Sequence, residues 1–175
     1  MKPLCVDLFC GLGGWAEGFL REGYRVVGFD NDPRFAKVYP GEFVLQDIRT
    51  LDGRRFRNAR CIVASPPCQH YTKLDLPASW GARWREDDGG RLWDEAERVQ
   101  RESGAPMVIE NVRGAQRERG RAVCHVGSRY LWGDVPLIDP EPVWGKWRLP
   151  PSPDRTALRA KIPLPIARAV ARGFL

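Results

Sequence analysis

The opening of the chain constrains its fold more than any other feature. Pro3 to Phe9 is a short apolar run of strand character that leads directly into Cys10-Gly-Leu-Gly-Gly14, and Trp15 to Glu22 then takes up helical spacing. A strand, a glycine turn and a helix in that order start a parallel α/β unit. Further apolar runs follow at Tyr24 to Phe29, Phe43 to Leu45, Cys61 to Ala64 and Pro106 to Ile109, with Tyr130 to Trp132 as a candidate sixth strand. Helical stretches fall between them: Arg34 to Tyr39, introduced by Pro33, and Arg91 to Glu102, where Leu92, Trp93, Ala96 and Val99 recur at helical spacing. Ile162 to Phe174 closes the chain as another helix. The alternation predicts a doubly wound, mostly parallel α/β sheet covered by helices on both faces. With 175 residues, a single domain over 1–175 buries about 70% of the surface its unfolded chain exposes, so no disulfide or metal staple is needed.

Residues 71–90 mix Pro, Gly, Trp and charge without a period and read as a long loop of the kind that closes over a site. Residues 133–153 read as a short, proline-rich connector. The five cysteines contain no CxxC pair, which argues for free thiols and against a disulfide framework or a metal site. No apolar run approaches the about 20 residues of a membrane span. Asp7 breaks the first apolar run too early for a secretion signal, so a cytoplasmic protein without a membrane partner is expected. The net charge of +6 is uneven: residues 1–50 carry 6 basic and 7 acidic side chains, residues 51–175 carry 22 and 15. The later part therefore offers a polyanion Arg54, Arg55, Arg57, Arg60, Arg117, Arg119 and Arg121, although solvated arginines alone give the same count.

The chemistry-bearing residues gather at predicted strand ends. The glycine turn Gly11 to Gly14 sits at the carboxyl end of the first strand, where open α/β sheets bind nucleotide-like ligands. It lacks the full G-x-G-x-x-G, since Trp15 and Ala16 follow Gly14, which disfavours a hydride-transfer enzyme. Asp30 ends the second strand, where a carboxylate can accept from both ribose hydroxyls of an adenosyl group. Asp47 is placed to accept from the exocyclic amine of adenine. Either carboxylate alone reads equally well as a helix N-cap. In Ser65-Pro-Pro-Cys-Gln69 two prolines stiffen a turn that presents Cys68, a candidate nucleophile once deprotonated. Cys5, Cys10 and Cys61 read as small buried hydrophobes. Glu110, in Glu110-Asn-Val112, follows the fifth apolar run and shares the sheet edge with Cys68. A protonated carboxyl there can donate to N3 of a pyrimidine while a thiolate adds to C6.

Together these segments resemble the S-adenosylmethionine-dependent cytosine-5 DNA methyltransferases: Asp7-Leu-Phe-Cys-Gly-Leu-Gly-Gly14, Ser65-Pro-Pro-Cys-Gln69 and Glu110-Asn-Val112 match three of that family's motifs in the family's order. The resemblance implies the Rossmann-like sheet of class I methyltransferases and S-adenosylmethionine as cofactor, bound by Asp7, Phe9, Gly11, Gly13, Gly14, Trp15, Asp30, Asn31, Asp47, Ile48 and Pro66. Trp15 stands where the family often has phenylalanine, and Asn31 where it often has an apolar or aromatic side chain. Cys68 and Glu110 are implied as catalytic, and Gln69, Asn111, Arg117 and Arg119 as substrate contacts. An arginine contacting the cytosine is also implied; Arg129, entering a predicted strand, is favoured over Arg119 in Gln116-Arg-Glu-Arg119, which follows Glu110 too closely. Ala160 to Val170 resembles a degenerate form of the final motif, whose helix completes the cofactor pocket. No separate target recognition domain is evident, so either little sequence is read or recognition is expected from the 71–90 loop, a partner chain or a second copy. The implied substrate is a cytosine flipped from duplex DNA, in a bacterial, archaeal or phage setting of restriction and modification. Two rivals stay open: a pyrimidine nucleotide or single-strand C5-alkyltransferase, and a catalytically silent DNA-binding or regulatory subunit.

Overall fold

The computed structural model describes residues 1–74, 89–140 and 155–175. Five strands run parallel: β1 (Leu4–Leu8), β2 (Arg25–Asp30), β3 (Glu42–Leu45), β4 (Cys61–Ala64) and β5 (Met107–Asn111). A hairpin of β6 (Cys124–Val126) and β7 (Arg129–Gly133) adds an antiparallel edge. The helices are α1 (Gly14–Arg21), α2 (Gln69–Leu74), α3 (Gly89–Ser103), α4 (Gln116–Arg119), α5 (Arg155–Ala160) and α6 (Leu164–Gly173). The strand order is β3-β2-β1-β4-β5-β7-β6. The chain steps outward from β1 to β3 and then crosses back to lay β4 on the other side of β1. That reversal opens a crevice beyond the carboxyl ends of β1 and β4, where sheets of this kind take their ligands. The fold is the doubly wound, Rossmann-like α/β class read from the sequence.

Alternate residues of the buried strands feed two core layers. Val6 and Leu8 of β1, Ile62 and Ala64 of β4, and Met107 and Ile109 of β5 meet Trp93, Ala96 and Val99 of α3 on one face. On the other face Cys5, Cys61, Val63 and Val108 meet Trp15, Ala16 and Phe19 of α1 and Ile166, Ala167 and Val170 of α6. Helices α1 and α6 approach closely because position 18 is glycine: a Cβ there would lie 2.4 Å from Ala167 Cβ. The Tyr24 hydroxyl donates to the Ala171 carbonyl at 3.0 Å. Glu22 accepts from Arg168 and Arg172, which hold its carboxyl below the usual range. This packing anchors α1, and with it the glycine turn at its start.

The described residues depart from the sequence reading in several places. Pro33–Lys37 is a 3₁₀ turn capped by Asp32 and not an α-helix, because none of its residues is buried and no apolar stripe extends it. β6 was invisible to periodicity: its residues are only partly buried, and hairpin pairing with β7 defines it. Tyr71–Leu74, expected to open a loop, complete α2, and Gly89 and Gly90, expected to end it, start α3; Gly133, expected to open the connector, ends β7; 75–88 of the loop and 141–153 of the connector lie outside the described residues. The final helix begins at Leu164, and α5 precedes it as a separate short helix.

Candidate active site

A cavity of about 660 Å³ opens at the carboxyl edge of the parallel strands. Its first half is the glycine turn. β1 runs into Phe9, a non-glycine residue at φ +59°, and the chain reverses through Gly11 at +47° and Gly13 at +72°, conformations that favour glycine. The turn is closed by the Gly13 N–H donating to the Cys10 carbonyl at 2.8 Å, and tied to β2 by the Cys10 N–H donating to the Phe29 carbonyl at 3.1 Å. A Cβ on Gly14 would lie 2.4 Å from the Ile162 nitrogen, so the segment before α6 presses directly on the start of α1.

Carboxylates flank the turn in different states. Asp30 accepts the Gly11 N–H at 2.9 Å on one oxygen and the Asp32 N–H at 3.0 Å on the other. Burial raises its pKa, and those N–H groups oppose the rise. Asp47 caps a 3₁₀ turn by accepting from the Arg49 N–H at 2.9 Å, and the Arg49 side chain holds its carboxyl below the usual range. Asp7 is 1% exposed and lies behind the cavity wall. The Tyr39 hydroxyl donates to one of its oxygens at 3.0 Å while the other has no hydrogen-bond partner among the described residues. Burial pushes this carboxyl well up.

The second half grows from β4. The backbone of the turn Ser65 to Cys68 is braced: the Ser65 N–H donates to the Leu8 carbonyl at 3.3 Å, and Asn111 Nδ2 to the Pro66 carbonyl at 2.9 Å. The Thr72 N–H and hydroxyl donate to the Cys68 carbonyl at 2.8 and 2.9 Å. Cys68 thus reaches the cavity on a rigid support. Burial first, and the charge of Glu110 second, raise its thiol pKa, while Thr72 and Arg129 lower it. Glu110 is 5% exposed and faces the same cavity from β5. Burial raises its pKa against Arg129, whose Nη1 donates to Oε1 at 3.2 Å, and against Ser65. The same guanidinium donates to the carbonyls of Arg159, Ala160 and Lys161, so it also holds the end of α5 and the residue after it to the site.

Of the residues singled out in the sequence, Phe9, Gly11, Gly14, Trp15, Asp30, Asn31, Asp47, Ile48, Pro66, Cys68, Gln69, Glu110 and Arg129 all line this cavity. Asp7, Gly13, Asn111, Arg117 and Arg119 do not. Gly13 packs on Pro40 and Tyr39, and Asn111 braces the cysteine turn from behind. Arg117 is exposed on α4. Arg119 is a strut: it donates to the Tyr71 hydroxyl at 2.9 Å, to Asp94 and to the Gly90 carbonyl, and lies 5.4 Å over the Trp93 ring. Between the two candidate arginines, the one beside Glu110 is therefore Arg129. Ala160, Lys161 and Ile162, at the start of the stretch that resembles the final motif, line the cavity too; so do Ser65, Thr72, Thr156, Ala157 and Arg159, which the sequence does not single out as site residues.

The model of the C-5 cytosine-specific DNA methylase family matches residues 4–127. The chain belongs to that family. Among curated proteins it is 30% identical over 124 residues to the type II methylase M.HgiDII of Herpetosiphon aurantiacus, covering 64% of this chain and 33% of that protein. It is 29% identical over 141 residues to the type II methyltransferase M.BanI of Aneurinibacillus aneurinilyticus, covering 74% and 31%. The match thus spans about a third of the length of each relative. Among solved structures, the Dnmt2 methyltransferase of S. pombe superposes with a TM-score of 0.49 at 16% identity, over 69% of this chain and 37% of that one. No helix among the described residues of this family member is long and apolar enough to cross a membrane. Nor does any group of three or more His, Cys, Asp or Glu among them form a metal site.

Proposed function

We propose that the chain transfers a methyl group from S-adenosylmethionine to C5 of a cytosine in DNA, through a covalent Cys68 adduct at C6. The observation that carries this reading is the convergence of Cys68, Glu110 and Arg129 with the glycine turn and Asp30 on one cavity of about 660 Å³. That volume falls within the ~300–1,000 Å³ common for small-molecule and cofactor sites. An ionised carboxylate has about four lone-pair sites. Backbone N–H groups use two of those on Asp30, and the rest suit the vicinal hydroxyls of a ribose. Trp15, Ile48 and Pro66 supply apolar walls for an adenine, with Asp47 at its amine. These residues fit S-adenosylmethionine, which when bound supplies a methyl group on a cationic sulfur.

The remaining chemistry belongs to the chain's own side chains. Cys68 is a thiol at rest and must lose its proton to solvent before Sγ bonds to C6. Glu110, whose hold on a proton burial strengthens, gives that proton to N3 as that bond forms, so C5 becomes nucleophilic without charge building up on the ring. Arg129 holds Glu110 in place and favours its carboxylate once the proton has left. After methyl transfer, Glu110 recovers its proton from N3, and solvent takes the C5 proton, which restores the C5–C6 double bond and expels the Cys68 thiolate.

In a duplex the cytosine must first leave the stack. Gln69 lines the cavity with a buried side-chain oxygen that has no hydrogen-bond partner among the described residues, and it is assigned to the flipped nucleotide. Arg117 is assigned to a phosphate. A second copy or a partner chain is a source of sequence recognition, and the cytoplasm of a bacterium, archaeon or phage host is the setting. The test is transfer of tritium from labelled S-adenosylmethionine into duplex DNA, single-stranded DNA, RNA and mononucleotides, with Cys68→Ala alongside. Label in DNA cytosine, lost in the variant, is expected. Label confined to mononucleotides, or equal label from both proteins, overturns the assignment.

A further inference from the structure

Ser65 touches both halves of the cavity and has no part in the mechanism above. Its backbone is immobilised on both sides, by its own N–H on Leu8 and by Asn111 on Pro66. What remains free to turn is the hydroxyl. Trp15 Nε1, on the first turn of α1, donates to Ser65 Oγ at 2.9 Å. An indole N–H can only donate, so Oγ must accept here and its own proton is left for another acceptor. The register Ala64 with Ile109 sets Ser65 beside Glu110 at the next step of the sheet. Both side chains face the cavity, and Ser65 is among the groups that oppose the rise in the Glu110 pKa.

We propose that Ser65 is a positioning residue for Glu110, its hydroxyl turned toward the carboxyl by the Trp15 indole, so that the wall of the cofactor cradle sets the orientation of the acid at the base. The proposal rests on the reading of Glu110 as the group that protonates N3. The relay runs Trp15 Nε1–H to Ser65 Oγ, Ser65 O–H to Glu110, with Arg129 Nη1 on Oε1 from β7. The charged or titratable groups facing Glu110 are Arg129 from β7 and Cys68 from the turn after β4. A phenylalanine at position 15 would keep an aromatic wall but could not impose this orientation.

The test is a double-mutant cycle of Trp15→Phe and Ser65→Ala at saturating cofactor. Ser65→Ala is expected to lower kcat by roughly three- to tenfold, the factor one net hydrogen bond carries, with KM for DNA within twofold. The limb of the kcat profile governed by Glu110 is expected to move to higher pH, because a donor to the carboxylate is lost. Trp15→Phe is expected to shift the same limb the same way by no more than Ser65→Ala, and the double variant to match Ser65→Ala alone, since the indole acts only through the hydroxyl. A second readout needs no turnover. Titration of carbon-13-labelled glutamate, assigned with Glu110→Gln, is expected to show the Glu110 midpoint rising in both single variants, and Ser65→Ala is expected to displace the Trp15 indole N–H resonance. Additive effects, an unmoved limb, or an unmoved Glu110 midpoint would overturn the relay. A wild-type chain that never methylates cytosine while its Glu110 midpoint responds as stated overturns the proposed reaction and leaves the relay standing.

Discussion

Gly18→Ala tests how the fold holds its cofactor cradle. In an isolated helix the change stabilises by ~1 kcal/mol. Here the new Cβ would sit 2.4 Å from Ala167 Cβ and 2.7 Å from both the Ala167 carbonyl carbon and the Arg168 nitrogen. Two of those three atoms are backbone of α6, so no rotamer change relieves the clash and the helix itself must retreat. Overpacking of this kind costs ~1–3 kcal/mol. The retreat loosens the Tyr24 bond to the Ala171 carbonyl, adding ~1 kcal/mol. Set against the gain in helix propensity, the net loss is ~1–3 kcal/mol, or a Tm lower by about 2–12 °C for a chain of this size. Circular dichroism melts at one scan rate read it directly. Adding Ala167→Gly removes the side-chain contact but neither backbone contact, so only part of the loss should return. A Tm at or above wild type for Gly18→Ala would refute the close approach of α1 and α6.

The remaining predictions concern two carboxylates. Asp30→Asn keeps the shape but removes the charge that faces the ribose, so calorimetric affinity for S-adenosylhomocysteine should weaken about ten- to a hundredfold, the scale of one charge-assisted hydrogen bond; unchanged affinity would exclude Asp30 from the site. For Asp7, burial raises the folded pKa, so the folded state holds its proton more tightly than the unfolded state. The stability that proton contributes is complete below the ordinary carboxylate range near ~3.9 and is lost as pH rises through the raised folded value. Asp7→Asn does not titrate, so its Tm relative to wild type should improve as pH rises above the ordinary carboxylate range; a pH-independent difference would contradict the burial argument.

Much of this architecture is legible in the residue order because two signals are local. The apolar runs that became β1, β2, β4 and β5 are buried on both faces, and Cys68, Glu110 and Asp30 each sit at or just beyond a run's end, where a parallel sheet exposes its chemistry. What escaped depends on contacts remote in sequence. Asp7 and Asn111 belong to the same motifs as the cavity residues, yet strand alternation and packing turn them behind its wall, to Tyr39 and to the Pro66 carbonyl. Arg119 has the spelling of a base-contacting arginine, but Tyr71, Asp94 and Gly90 engage its guanidinium. Ser65 is plain in the sequence, whereas its partner Trp15 lies 50 residues away. The segment around Lys161 reaches the site only because Arg129 binds its carbonyls and position 14 lacks a side chain.

The proposed reaction turns on a sulfur–carbon bond between Cys68 and C6 of the target cytosine. Replacing the C5 hydrogen with fluorine tests it most directly, since fluorine cannot leave as the proton does and the adduct is trapped after methyl transfer. Incubation with S-adenosylmethionine and duplex DNA containing 5-fluorocytosine should give a denaturation-resistant complex whose peptide map places the nucleotide on Cys68, absent in Cys68→Ala and strongly reduced in Glu110→Gln. Methylation of ordinary cytosine with no trapped complex, or a complex mapped to another residue, would contradict the account.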